Sequence, residues 1–347
     1  MTNQTVAQVD EVPRSRSQLV TDLKYRWPAR YRSAWVALAL LVVVVGITVP
    51  ASFSGPSLTL VTALAGVLAI AALGQTLIIM LGALDLSISA IISVSAGMVV
   101  HYGGGGSSTP LVLAAALLVP ILISLVNGVL IAVLRLNALI VTLATFGIIT
   151  GLVQLWTGQS LSLTGQSPQG LQDFSQKAYL GISVVFLCSV VVCLLFAAVL
   201  SKTRFGRQIA TVGSNRRAAR ALGQRVTRVE LSAFGLAGLL YGVSGILLAG
   251  YIGTPDVLSG TPYQLATITV AGIAGALFSG GPASVASVLA ACLLLQLLDE
   301  SLSILGLPAG ARVVIQGLVL VVAVAALQLG QAGASGFRWA RRLGGPR

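Results

Sequence analysis

Long apolar segments alternate with short polar ones along most of the chain. An α-helix rises about 1.5 Å per residue, so about 20 apolar residues cross the ~30 Å hydrocarbon core of a bilayer. The pattern predicts an all-α, polytopic integral membrane helical bundle of about ten transmembrane helices. The predicted spans are residues 34–52, 58–81, 86–101, 110–133, 138–157, 179–200, 229–251, 262–278, 283–300 and 311–328.

Composition excludes a water-soluble fold of this size. Of the 347 residues, 56% are hydrophobic and 9% are charged, whereas charged residues make up about 25% of a typical soluble protein. The 39 glycines fit helices that pack closely in a membrane, where small residues let backbones approach each other.

The positive charges fall into three segments that predict the topology. Six basic residues precede the first apolar run, eight lie within 201–228, and four follow the last run. Under the positive-inside rule all three segments are cytoplasmic. We therefore expect a cytoplasmic N-terminal tail over 1–33, a transmembrane domain over 34–328 with a cytoplasmic loop at 201–228, and a cytoplasmic C-terminal tail over 329–347. Six helices before that loop and four after it satisfy this arrangement.

The side chains that commonly bind metals give no sign of a metal site. Cys188, Cys193 and Cys292 lie inside apolar runs without metal-ligand spacing, so they are interpreted as small buried hydrophobic residues. His101 is the only histidine, and we interpret it as an interfacial residue at a helix end.

A polar interruption within the second and third apolar runs is the first candidate functional feature. Gly82 is followed by Asp85 and Ser87, which predicts that one helix ends near Gly82 and that Asp85 or Ser87 caps the next. A break at membrane depth has to face protein or a water-filled cavity. Asp85 and Ser87 therefore either border a translocation path, or Asp85 only caps a helix near the surface.

Further polar residues occur at Asn127 and on one helical face that carries Thr142 and Thr145. The two threonines can hydrogen-bond a polyhydroxylated solute, or they can bond the preceding turn of their own helix. Gly238, Gly242 and Gly245 are most simply interpreted as helix-packing positions.

The basic segment between the sixth and seventh apolar runs predicts a short surface helix. Ser214 or Asn215 is a suitable N-cap, and Gly223 is a suitable C-cap. The apolar face would consist of Ala218, Ala219 and Leu222. Such a helix suits docking into a groove of another protein, but a basic loop that fixes topology or contacts anionic lipid is an equal alternative.

This segment resembles the cytoplasmic loop of the sugar-type ABC transporter permeases, the ribose, xylose and arabinose permease group that is related to the branched-chain amino acid permeases. The stretches from Gly82 to Ser87, from Asn127 to Gly128, from Ile140 to Thr145 and from Gly272 to Gly281 are also similar to motifs of that family. Departures occur at Ala138, Ala144, Gln224 and within Gly280–Ala283. The matching positions in the loop are Thr203, Phe205, Gly206, Arg207, Gly213, Asn215, Ala218, Ala219 and Gly223.

The resemblance implies the permease subunit of an importer for a sugar or sugar-like polar solute. It implies a second permease subunit, identical or paralogous, two cytoplasmic ABC ATPase subunits, an extracytoplasmic solute-binding protein and contact with membrane lipid, without nucleic acid. Residues 214–222 would form the helix that couples to the ATPase. The implied coupling residues are Gly206, Arg207, Gly213, Ser214, Asn215, Ala218, Ala219, Leu222 and Gly223. The candidate solute-pathway residues remain the polar residues described above, Asp85, Ser87, Asn127, Thr142 and Thr145.

ATP would be bound by the partner subunits, because the chain has no G-x-x-x-x-G-K-[ST] phosphate loop. We therefore expect a transport subunit without a cofactor, not an enzyme. Three alternatives remain at this stage: a permease for another solute class such as branched-chain amino acids, a secondary transporter driven by an ion gradient, and an integral-membrane enzyme. The last two fit poorly, since the chain has few buried carboxylates and a single histidine.

Overall fold

The computed structural model describes residues 29–103, 109–158 and 165–325. Most of the two predicted basic tails lies outside the described residues. In chain order the helices are α1 (Ala29–Thr48), α2 (Gly55–Met80), α3 (Ile88–Gly103), α4 (Thr109–Ala132), α5 (Ala138–Thr157), α6 (Gln169–Ser175), α7 (Val184–Lys202), α8 (Arg204–Ser214), α9 (Arg216–Ala221), α10 (Val226–Ile252), α11 (Thr261–Ile273), α12 (Val285–Ile304) and α13 (Ala309–Ala325). A 3-10 turn covers Pro50–Phe53, and β1 (Ala178–Tyr179) pairs antiparallel with β2 (Ile182–Ser183).

A helix lies at each of the ten predicted apolar runs, which confirms the polytopic helical bundle. Within the described ranges, seven helices are long and apolar enough to cross a membrane, namely α1, α2, α4, α5, α7, α10 and α12. Helices α3 and α13 are apolar but shorter. The prediction for 262–278 was too long: α11 ends at Ile273, and a glycine-containing turn segment continues to the start of α12.

Helices α2 and α10 form the centre of the bundle. Helix α10 packs against α2, α3 and α4, and its glycines make close backbone contacts possible. A Cβ atom added to Gly238 would come 2.6 Å from the Pro120 carbonyl oxygen, and one added to Gly245 would come 2.7 Å from the Ile92 carbonyl oxygen. The interpretation of these glycines as packing positions is therefore confirmed.

The connections define two opposite ends of the bundle. Helices α8 and α9 lie at one end of the bundle, which we call the α8–α9 end. This end also contains the C-terminal ends of α2, α4 and α7 and the N-terminal end of α10. The other end contains the β1–β2 hairpin and the C-terminal ends of α3 and α5. There His101 contacts the rings of Tyr102 and Trp156, with ring centroids 4.5 and 4.9 Å away, as suits a residue at a membrane interface.

Candidate functional site

The predicted break between the second and third helices is present and is built around Asp85. Helix α2 ends at Met80, and Gly82 follows with a φ of 75°, a left-handed conformation that suits glycine. Oδ1 of Asp85 accepts hydrogen bonds from the backbone N–H and the hydroxyl of Ser87. Asp85 thus holds Ser87, the residue directly before α3, and its carboxyl group is enclosed by protein, since Asp85 has no exposed surface.

A continuous chain of hydrogen bonds joins this break to α4 and α5. Asn127 on α4 donates from Nδ2 to the Ser87 hydroxyl at 3.0 Å. Thr145 on α5 donates to Oδ1 of Asn127 at 2.6 Å. Four candidate pathway residues from three separate segments of the chain therefore form one polar network, which we define as Asp85, Ser87, Asn127 and Thr145.

The fifth candidate, Thr142, behaves differently. Its hydroxyl donates to the Ala138 carbonyl oxygen of its own helix at 2.8 Å and lies 3.4 Å from the Leu84 carbonyl oxygen. Its main partner is thus the preceding turn, as one of the two interpretations predicted. In this conformation Asp85, Ser87, Asn127 and Thr142 are fully buried, and Thr145 is the candidate with partial exposure.

Two residues next to the network were missed by the sequence analysis. Tyr241 on α10 donates from its hydroxyl to Oε1 of Gln75 on α2 at 3.3 Å, and the same hydroxyl lies beside the Asp85 carboxyl group. The Tyr241 ring lies over Gly74, where a Cβ would come 2.5 Å from a ring carbon. An isolated glutamine in a long apolar run was the signal that could have identified Gln75.

The orientation of the Gln75 amide determines the direction of the hydrogen bonds among Gln75, Tyr241 and Asp85. As placed, Nε2 of Gln75 and Oδ2 of Asp85 both lack a hydrogen-bond partner. Rotating the amide by half a turn lets Nε2 donate to the Tyr241 hydroxyl oxygen. The Tyr241 hydroxyl can then donate its own hydrogen bond to the Asp85 carboxyl group. Amide orientations follow from the hydrogen-bond network, and buried polar groups without partners are rare, so the rotated arrangement is the favourable one.

The helix break is in direct backbone contact with α8. Gly281 donates from its N–H to the Met80 carbonyl oxygen at 2.9 Å. A Cβ at Gly213, near the end of α8, would lie 1.8 Å from the same oxygen, and a Cβ at Gly280 would lie 2.4 Å from the Gly213 carbonyl oxygen. We call this meeting of Met80, Gly213, Gly280 and Gly281 the glycine junction.

The basic segment contains the predicted short helix and one that was not predicted. Asn215 caps α9 by accepting hydrogen bonds from the N–H groups of Arg217 and Ala218, both at 3.0 Å. Gly223 follows α9 with a φ of 76°, as expected for a C-cap. The preceding helix α8 is amphipathic and buries Ile209 and Val212 against the bundle.

The residues predicted to contact an ATPase divide into two groups. Ala218 is exposed, and Leu222 retains 74% of its accessible surface, while Ala219 has none. The prediction of one face with Ala218, Ala219 and Leu222 was therefore wrong, since Ala219 packs inward. Gly206 is also buried, with the Leu200 carbonyl oxygen 2.1 Å from where its Cβ would be.

The other coupling candidates have local roles in this conformation. Arg207 is exposed and donates from Nη1 to the Lys202 carbonyl oxygen at 3.4 Å. The Ser214 hydroxyl donates to the Ala210 carbonyl oxygen at 2.7 Å. Gly213 belongs to the glycine junction, so its small size serves a contact within this chain.

Comparison with known proteins identifies the family. The family described as branched-chain amino acid transport system / permease component matches residues 57–324. The chain belongs to this permease family. It is 32% identical over 299 residues to the autoinducer 2 import system permease protein LsrC of Salmonella typhi, with 86% of each chain covered.

The LsrC protein of Escherichia coli strain K12 / DH10B is 33% identical over 303 residues, which cover 86% of the permease and 87% of that relative. No solved structure gave a significant match. Family membership and the apolar helices make the chain a multi-pass membrane protein and a transport permease subunit, not an enzyme.

Proposed function

We propose that the permease is the membrane subunit of an ABC importer for a sugar or sugar-like polar solute of the autoinducer 2 class. The observation that carries this proposal is the similarity to permeases named for autoinducer 2 import, which extends over 86% of both chains. The family description names branched-chain amino acid transport, so an amino acid such as leucine is the second candidate solute.

The proposed assembly contains a second permease subunit, two ABC ATPase subunits that bind ATP, and an extracytoplasmic solute-binding protein. We place the α8–α9 end in the cytoplasm, because eight basic residues and no acidic residue lie within 201–228. Both termini, with the tails over 1–33 and 329–347, would then be cytoplasmic.

The ATPase would dock on the exposed side of α9. Ala218 is small and Leu222 protrudes, which suits insertion into a groove of a partner. Ala219, Gly206 and Gly213 face the permease and would hold α8 and α9 on it. A displacement of α9 would reach the helix break through Gly213, because the glycine junction leaves no space between α8 and Met80.

The polar network would hold the helix break in place at the edge of the translocation path. Asp85, Ser87 and Asn127 are fully buried and bonded to one another, which suits a structural support. Thr145 is partly exposed and would be the member that borders the path.

A matched pair of leucine substitutions tests the docking surface. Leu222→Asp places a charge on the exposed side of α9, and Leu180→Asp does the same in the β1–β2 hairpin, where Leu180 is fully exposed at the opposite end. We expect Leu222→Asp to abolish co-purification of the ATPase and uptake of autoinducer 2, while Leu180→Asp retains ATPase binding. Equal ATPase binding by both variants would contradict the proposed docking surface.

The solute is tested separately in proteoliposomes that contain the complete complex and the binding protein. Uptake of labelled autoinducer 2 is compared with uptake of D-ribose and L-leucine. ATP-dependent uptake of autoinducer 2 or ribose supports the proposal, and uptake of leucine alone replaces it by the second candidate.

A further inference from the structure

A buried carboxylate at the α8–α9 end has no role in the function derived so far. Glu230 lies on the second turn of α10, and 1% of the residue is exposed. Its Oε1 is 3.0 Å from Nη2 of Arg216, and its Oε2 is 3.6 Å from Nη1 of Arg135. Neither carboxylate oxygen makes a well-directed hydrogen bond, so the two guanidinium groups stabilise it through their charge.

The two arginines belong to different parts of the molecule. Arg216 is the first residue of α9, and Arg135 lies in the connection between α4 and α5. Each arginine side chain is about half exposed, at 42% and 44%. Glu230 is thus a buried negative charge that holds two otherwise solvated positive groups, because leaving a carboxylate buried without a partner is strongly unfavourable.

The same region of α10 also packs against α4, the helix that carries Asn127 of the polar network. Phe234, one turn after Glu230, lies on Gly128, where a Cβ would come 3.0 Å from the Phe234 Cβ. Gly128 follows Asn127 on α4, and α5 carries Thr145. The start of α10 therefore contacts α4, the α4–α5 connection and α9.

We propose that Glu230 is a positioning residue for transport, which makes α9 and the α4–α5 connection move as one unit through its ion pairs with Arg216 and Arg135. This inference rests on the proposed function, since the movement of α9 is attributed to an ATPase. It gives a second route to the polar network: α9 acts through Glu230 on the helices that carry Asn127 and Thr145, separately from the glycine junction. Arg216 is then a structural link within the permease and not only a topology-determining charge.

The first test measures coupling in proteoliposomes that contain the complete ATPase-bound complex, with autoinducer 2 as the probe. Glu230→Gln is expected to lower uptake per ATP hydrolysed by about two- to thirty-fold, the range for substitutions along coupling networks. Glu230→Asp, which keeps the charge, is expected to restore part of the loss. The matched control is Glu300→Gln, the same change on α12 at the opposite end of the bundle, and it should leave the ratio unchanged.

A double-substitution cycle separates a lost ion pair from a general packing defect. Arg216→Gln is expected to lower uptake per ATP hydrolysed to the same extent as Glu230→Gln. The variant that carries both substitutions should lower it no further than either single substitution. Arg228→Gln, which alters an exposed arginine on the first turn of α10 and not on α9, is the control for charge loss. Additive effects of the two substitutions, or an equal effect of Arg228→Gln, would overturn the proposal.

The second test measures the movement directly and needs no solute. Cys188, Cys193 and Cys292 are replaced by alanine, and spin labels are attached at Ala221→Cys on α9 and Leu139→Cys on α5, both exposed. On addition of ATP and vanadate, the distance between the two labels should stay constant in the parent protein, which retains Glu230. In the Glu230→Gln protein, the distribution of this distance should shift or broaden.

An unchanged distance distribution in the Glu230→Gln protein, or a nucleotide-dependent change in the parent, overturns the proposal. If the parent complex hydrolyses ATP without taking up any probe, the proposed function fails, while the label distances still decide the role of Glu230.

Discussion

The glycine junction provides the sharpest test of how α8 acts on the helix break. In Gly213→Ala, the new Cβ would start 1.8 Å from the Met80 carbonyl oxygen, whereas real Cβ contacts essentially never fall under 3.0 Å. Helix α8 and the end of α2 therefore have to separate by more than 1 Å. No flexible side chain can absorb this, because the obstacle is a backbone atom.

The energetic consequence follows from that displacement. Inserting a methyl group into a packed site costs about 1–3 kcal/mol, and loss of the hydrogen bond from Gly281 to Met80 adds about 1 kcal/mol. Domains have a total stability of about 5–15 kcal/mol, so the permease should still fold and insert. We expect Gly213→Ala to reach the membrane in near-normal amount, with a lower unfolding midpoint and most of its ATP-driven uptake lost.

The assay compares Gly213→Ala with Gly170→Ala, an exposed α6 position where an added Cβ meets nothing within 4 Å. Membrane content, ATPase co-purification and uptake of autoinducer 2 are measured for both variants. We expect ATPase binding to persist in Gly213→Ala, since the α9 surface is unaltered, while uptake falls. Uptake equal to that of Gly170→Ala would refute the argument that α8 acts on the break through this contact.

Two further substitutions test contacts that hold the bundle together. Asn127→Ala removes the link between Thr145 and Ser87 and should lower the free energy of unfolding by about 1–3 kcal/mol, because buried polar partners are left unpaired; an unchanged unfolding midpoint in detergent would contradict this. Arg312→Gln removes the 2.7 Å ion pair to Asp299, in which both side chains are partly exposed, and should cost about 1 kcal/mol or less, with a difference that shrinks at high salt; a salt-independent loss would indicate a packing effect instead.

The sequence was sufficient for features that depend on local chemistry. Apolar runs located the membrane helices, and the combination of Gly82, Asp85 and Ser87 located the break. The caps of α9 followed from Asn215 and Gly223, because N-cap and C-cap preferences are local.

Features that depend on tertiary packing could not be obtained in the same way. Ala218 and Ala219 are chemically identical, so composition could not tell which one is exposed and which one faces the bundle. Gly213 and Met80 are distant in sequence, and nothing in either residue indicates that their backbones touch. Glu230 resembled an ordinary acidic residue in the first turns of a helix, since its partner Arg135 lies on a separate loop.

One part of the α8–α9 end could have been anticipated. Phe205, Ile209 and Val212 recur at helical spacing in α8, a pattern that predicts an amphipathic helix. Because α8 was not predicted, the basic segment was interpreted as a loop that carries one short helix. In the structure α9 packs against α8, and α8 in turn packs against α2.

The contacts at the α8–α9 end converge on one polar network from two directions. Through Gly213, α8 touches the end of α2, immediately before the break that carries Asp85 and Ser87. Through Glu230, α9 is linked to the helices that supply Asn127 and Thr145. Within the network, the hydrogen bond from Asn127 to Ser87 joins these two sets of residues. A movement of α8 and α9 that displaced one set relative to the other would therefore have to lengthen or break this bond.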